Sequence, residues 1–312
     1  MHAWRNDFAA ARNDGLDAAT GDWILYIDAD ERLIDTSPEA LRAGLDDAMA
    51  YAARLRFRPT VHGTLVREYR LFRNDPRLRF KGAMHETIRP DLDALEEAIG
   101  AKTIDSPAAM VHLGYEGDLT AKHRRNLPLL KAAVEANPDR LYYWNHLAET
   151  LGALGEAREA IATADAALVQ SAHRHDPGSR KMQASLAATS ARFRLAVGED
   201  ALPLAERGLE FHPGNPWLTF LKAKALVEAG RPDDAIAIAG HLISIDGETY
   251  CDADFSFDRR IFGAYAHDLM GVALLRLGRK DEAALAFARA AKAAPEDPSY
   301  RIKALALGAP PF

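Results

Sequence analysis

Asp28 and Asp30 close a run of five apolar residues, Trp23 to Ile27. A run that is apolar on both faces is expected of a strand buried inside a parallel sheet. Open parallel sheets bind their ligands at the carboxyl ends of the strands, where this pair falls. Side chains alternate along a strand, so both carboxylates are expected on one side. Two hard oxygen donors with open coordination positions suit Mg²⁺ or Mn²⁺ shared with substrate phosphates. The bland alternative is a strand end whose acids start a turn. Further on, nine Lys/Arg between Arg54 and Lys81 stand against only Glu68 and Asp75. Arg70 and Arg73 are candidates for diphosphate contact, because guanidinium forks match phosphate oxygens. Arg54, Arg56 and Arg58 fit the solvated face of an alternating strand better.

The elements around these residues alternate between helix and strand. Asn6 or Asp7 can cap a helix carrying Phe8, Ala11, Leu16 and Ala19 at helical spacing. Gly21 stops it, and the apolar strand follows. Ser37-Pro38-Glu39 starts a second helix, with Leu41, Leu45, Ala48 and Met49 as its apolar stripe. Residues 51–58 alternate polar and apolar, as do 64–69, and they read as strands flanking a turn near His62-Gly63.

The chain has 312 residues, enough for two domains, with an ordinary 48% apolar and 27% charged composition. A net charge of -6 argues against a general nucleic-acid binder. Cys251 is the only cysteine, so no intrachain disulfide forms and a reducing compartment fits. No run approaches the roughly 18–20 apolar residues of a membrane span. The N-terminus carries no apolar signal core, so the expected location is the cytoplasm.

Beyond about residue 118 strand signals almost vanish and a helical repeat takes over. One copy runs Trp144, Leu147, Ala148, Leu151, Gly155, Ala160, Ala164, Ala167. Another runs Met270, Gly271, Leu274, Gly278, Ala283, Phe287, Ala290, Pro295. A third has Ala223, Leu226, Gly230, Ala235 and Ala239, and a weaker fourth has Ala201, Ala205, Gly208 and Pro213. Small residues at these offsets match the tetratricopeptide pattern, whose period is about 34 residues. The copies are unevenly spaced, and the excess after the third falls on residues 248–262, read as an insertion. Such repeats stack into a right-handed array whose concave face usually holds peptides or protein segments.

Residues 1–117 resemble the later part of a family 2 glycosyltransferase domain of the GT-A type. The nearest likeness is to the bacterial subgroup with tetratricopeptide repeats after the catalytic domain. The matching residues are Asn6-Asp7-Phe8, Ala11-Arg12-Asn13, Ala19-Thr20-Gly21-Asp22-Trp23-Ile24-Leu25 and Asp28-Ala29-Asp30-Glu31. Arg70-Leu71-Phe72-Arg73-Asn74, Gly82-Ala83-Met84-His85-Glu86 and His112-Leu113-Gly114-Tyr115 follow in order. The fold expected is therefore α/β, a partial GT-A Rossmann-like domain over 1–117, followed by an all-α tetratricopeptide-repeat solenoid over 118–312. The family begins with a strand–helix–strand unit that binds the nucleotide, and this sequence starts after it, so that part is expected to be missing.

The resemblance implies a metal-dependent transfer of sugar from a nucleotide-diphosphate donor to an unspecified acceptor, a protein or a glycan. It makes Asp28 and Asp30 holders of the Mn²⁺ or Mg²⁺ that bridges the donor diphosphate. His112 becomes a third, imidazole ligand, where alone it reads as a core histidine. Arg12 and Asn13 would line the nucleotide-sugar pocket. Glu86 becomes the general base for the acceptor hydroxyl, and His85 a phosphate or metal contact. Two other classes compete. One is a repeat scaffold whose truncated transferase part no longer works. The other is an aspartate-nucleophile phosphotransferase, which also places Asp-x-Asp after a hydrophobic strand. That class usually has Thr or Val two residues after the second Asp, where this sequence has Arg32.

Overall fold

In the computed structural model, residues 7–34, 36–60, 62–82, 85–113, 119–253 and 255–310 are described. Asn6 as a cap, Ala83-Met84, Gly114-Tyr115 and Asp254 lie outside them. The chain divides into two compact units. The first comprises 1–116 with 249–257, and the second 117–248 with 258–312. The expected boundary at 117/118 leaves out the returning segment 249–257.

The first unit runs α1 (Phe8–Ala18), β1 (Trp23–Leu25), β2 (Glu31–Ile34), α2 (Pro38–Arg42), β3 (Ala50–Arg58), β4 (Val66–Arg73), α3 (Arg89–Ile99) and β5 (Lys102–His112). The strands form one mixed sheet in the order β1-β4-β3-β5-β2. Among the described strands, β3 pairs parallel with β5, and the β1–β4, β3–β4 and β2–β5 pairs are antiparallel. The Asp7 carboxylate caps α1 by accepting the Ala10 N–H at 3.0 Å. Ser37 caps α2 in the same way. α2 stops at Arg42, short of the expected stripe, because Gly44 turns left-handed at φ 78°. Leu41 and Leu45 still cover the sheet there.

The apolar run departs from expectation. Trp23–Leu25 is an edge strand, paired antiparallel with β4 through Trp23↔Arg73, Ile24↔Phe72 and Leu25↔Leu71. Alternation still explains its composition. Trp23 and Leu25 pack on one face, with Leu55, Phe57, Leu71 and Met110. Ile24 and Tyr26 pack on the other, with Leu16 of α1, Phe72, Phe80 and Leu92 and Leu95 of α3. Both faces are covered while one edge stays open, so the residues are only half-buried. The strand ends at Leu25, and Asp28 and Asp30 sit in the turn between β1 and β2.

The second unit is helical: α4 (Thr120–Ala136), α5 (Leu141–Ala153), α6 (Ala157–Gln170), α7 (Pro177–Val197), α8 (Leu202–Phe211), α9 (Pro216–Glu228), α10 (Pro232–Ile243), α11 (Ala264–Arg276), α12 (Lys280–Ala293) and α13 (Pro298–Ala306). The alanines of the repeat are buried. Ala148, Ala160, Ala164, Ala205, Ala235, Ala239, Ala283 and Ala290 are fully enclosed. Gly230 and Gly278 make the tight turns α9–α10 and α11–α12 in the left-handed region, both at φ 75°. The uneven spacing has two sources: the 21-residue α7, and the connection between α10 and α11 that contains segment 249–257. Among the described residues, no helix is long and apolar enough to cross a membrane.

Candidate functional site

Three distant segments converge on Arg12. This residue leaves α1 and donates from Nη2 to both oxygens of Asp28, at 3.0 and 3.3 Å. Its Nε donates to Glu86 Oε1, in the connection before α3. The guanidinium stacks on the rings of Tyr26 (4.8 Å) and Phe80 (5.5 Å). Burial works against the Arg12 charge, yet the Glu86 hydrogen bond and the charges of Asp28 and Glu86 raise its pKa overall. Burial also pushes the Tyr26 hydroxyl up to about 12, so it stays a neutral phenol.

Asp30 faces a different partner. Its Oδ2 lies 3.3 Å from His112 Nε2 at the end of β5. The pairing of β2 with β5 puts Glu31 opposite His112, and the Leu113 N–H bonds the Asp30 carbonyl at 2.8 Å. Asp28 and Asp30 thus diverge, because they belong to a turn and strand alternation does not govern them. The expected set of Asp28, Asp30 and His112 is not gathered around one point: among the described residues no group of three His, Cys, Asp or Glu could hold a metal ion. One carboxylate and one imidazole in contact do fit a divalent cation that keeps water or phosphate on its other positions.

The remaining candidates divide. His85 adopts a left-handed backbone, φ 52°, beside Glu86. A non-glycine residue in that region holds strain, which clusters at functional sites. Asn13 is engaged with the backbone. Its amide exchanges two hydrogen bonds with the Phe80 backbone, at 3.0 and 2.9 Å, and pins that segment to α1. Arg73 is likewise spent on structure, bonding the carbonyls of Ala50, Asp47 and Ala48 and stacking on Trp23 and Tyr51. Arg70 is buried, paired with Glu31 at 2.6 Å and held between the rings of Tyr26 and Phe57. Both guanidiniums are thus engaged in contacts within the first unit.

Sequence reasoning missed Tyr26, Glu31, Glu68 and Phe80. Glu31 carried a signal. It lies three residues after Asp28, the spacing of a capping box, and accepts the Asp28 N–H at 2.9 Å as a capping glutamate would. Glu68 is held up by burial, with Arg70 opposing and Glu31 adding to the rise.

In the helical unit, a groove of about 1190 Å³ is lined by Arg192, Trp217, Phe220, Lys224, Tyr265 and Asp268, among others. The rings of Trp217, Phe220 and Tyr265 stack in a row, 5.8 and 6.2 Å apart.

Residues 1–89 match the family described as Glycosyl transferase family 2, and residues 198–250 match the tetratricopeptide repeat. The chain therefore joins a segment similar to family 2 glycosyltransferases to one similar to tetratricopeptide repeats. A TPR repeat-containing protein of Synechococcus elongatus (strain ATCC 33912 / PCC 7942 / FACHB-805) is 41% identical over 119 residues. The match covers 37% of this chain and 30% of that relative, so the chain spans under a third of its length. Similar solved structures include a thermophilic TPR protein of Thermus thermophilus, with TM-score 0.40 and 17% identity, covering 60% of this chain and 91% of the other. Another is YrrB, a TPR protein with an unusual peptide-binding site, with TM-score 0.41 and 18% identity, covering 57% and 81%.

Proposed function

We propose that the first unit acts in sugar transfer from a nucleotide-diphosphate donor to a protein or glycan acceptor. The observation that carries this reading is the convergence of Arg12, Asp28 and Glu86 inside the segment that matches family 2, together with the contact of Asp30 from that segment with His112, which lies outside it. Asp30 and His112 would hold Mn²⁺ or Mg²⁺, which when bound offsets charge on the departing diphosphate. Glu86 takes the proton from the acceptor hydroxyl. Arg12 fixes the Glu86 carboxylate and ties it to the acidic turn through Asp28. His85 lies beside the base and contacts phosphate. The site is cytoplasmic in this reading, in keeping with the single cysteine.

The test is a thermal shift with Mn²⁺ and a panel of nucleoside diphosphates. The expected result is a rise in melting temperature that needs metal and nucleotide together and is absent in Asp30→Ala. A wild-type chain that shows no shift with any nucleotide sinks the transferase reading.

A second reading is favoured by the relative described as a TPR repeat-containing protein and by the aromatic row in the groove. Here the chain is a binding scaffold, and a peptide or protein segment lies along Trp217, Phe220 and Tyr265. The same titration separates the two, since a scaffold gives no nucleotide-dependent shift.

A further inference from the structure

Glu31 and Arg70 form the most enclosed ion pair at the site, with side chains 1% and 9% exposed. Neither is open to a substrate. A buried pair of this kind is weak support for stability, because desolvation offsets the attraction and well-packed apolar residues often replace it without loss. Its bonds point to another role. One Glu31 oxygen accepts the Asp28 N–H at 2.9 Å, and the other accepts Arg70 Nη2 at 2.6 Å. The Glu31 N–H returns to the Asp28 carbonyl at 2.9 Å, so the turn is closed in both directions. Arg70 is itself clamped, 4.7 Å from the Tyr26 ring centroid and 4.6 Å from that of Phe57. Tyr26 carries Arg12 at 4.8 Å. One column therefore links Phe57, Arg70, Tyr26 and Arg12, and Glu31 joins it to the Asp28–Asp30 turn.

We propose that Glu31, held by Arg70, is the positioning residue that fixes the Asp28–Asp30 turn, so that Asp30 meets His112 and Asp28 meets Arg12. The proposal rests on the reading of Asp30 and His112 as the cation-holding pair. Outer partners of this kind typically change metal affinity by about 10–100-fold when removed.

The test replaces both partners, Glu31→Met with Arg70→Met, and compares three quantities. These are the melting temperature, amide hydrogen exchange at residues 28–31, and binding of Mn²⁺ alone followed by the electron paramagnetic resonance of the free ion. The expected double variant melts near the wild type, exchanges the Asp28 amide at least about tenfold faster and binds Mn²⁺ about tenfold or more weakly. Glu31→Gln keeps an oxygen for the Asp28 N–H and should retain protection of that amide. Unchanged exchange and Mn²⁺ affinity in the double variant overturn the proposal. If that variant does not fold, the wild type decides, because a rapidly exchanging Asp28 amide in the native chain also overturns it. A wild-type chain with no affinity for Mn²⁺ sinks the cation reading instead, and the exchange comparison still decides the positioning role.

Discussion

Glu68 shows how a single residue reports on the site. Its carboxyl is raised chiefly by burial; Arg70 pulls the other way, and the nearby Glu31 adds to the rise. A folded-state pKa above the unfolded one means that ionisation favours the unfolded chain. The contribution of Glu68 to stability is then fully present below the ordinary carboxylate range and is lost as pH rises through its folded value. Glu68→Gln removes that loss, so the variant should gain on the wild type at pH 8 and much less at pH 4. Urea midpoints at the two pH values measure this, and an equal change at both would show that the Glu68 charge is not involved. The arginines carry the complementary lesson. Alternation in sequence ended the second strand at Tyr69, whereas β4 runs on through Arg70 to Arg73. It could not say that one lies buried on Glu31 while the other bonds the carbonyls of Asp47, Ala48 and Ala50. That choice depends on which chain segments arrive from elsewhere, and no local pattern encodes it. Arg12 and Glu86 were legible only through the family likeness, since 74 positions separate them.

At the scale of elements, legibility follows how local the cause is. Helix pairs read clearly, because a close crossing demands a small residue at a fixed offset. Gly271 illustrates the demand. A Cβ there would stand 2.6 Å from the ring of Phe287, itself almost fully buried. Gly271→Ala should therefore lower stability by about 1–3 kcal/mol through overpacking, against an intrinsic helix gain of about 1 kcal/mol. Gly240, inside α10, has nothing within 4 Å of its would-be Cβ. Gly240→Ala should raise stability by up to about 1 kcal/mol. Thermal melts of the two variants should move in opposite directions, and parallel shifts would refute the packing argument. Strands read less well. A run apolar on both faces looks the same in a central parallel strand as in an edge strand covered above and below. β2 was invisible, because it opens with the charged Glu31-Arg32 immediately after the acidic turn. β5 begins with exposed Lys102 and Thr103 and holds Pro107, which blurs its alternation.

Across the whole molecule, the chain leaves the first unit near residue 116 and comes back to it for 249–257. The returning segment is held by backbone as well as side chain. Thr64 is fully buried; its N–H bonds the Phe257 carbonyl at 2.8 Å and its Oγ1 accepts the Phe257 N–H at 3.1 Å. Leu65 bonds the Tyr250 carbonyl at 3.3 Å, and its own carbonyl takes the Asp252 N–H at 3.0 Å. Tyr250 and Phe257 then close on each other with ring centroids 5.7 Å apart. Composition alone made this stretch an insertion between repeats, because its partner Thr64 lies more than 190 positions upstream. Thr64→Val keeps the shape but removes the hydroxyl that accepts the buried Phe257 N–H. Losing the acceptor of a buried donor costs about 1–3 kcal/mol, and here the loss should be local. Cys251 supplies the probe, being exposed and the only cysteine. A nitroxide on Cys251 should move faster in Thr64→Val than in the wild type, while Thr64→Ser, which keeps the hydroxyl, should restore the wild-type spectrum. Identical spectra in all three proteins would mean that Thr64 does not anchor the segment.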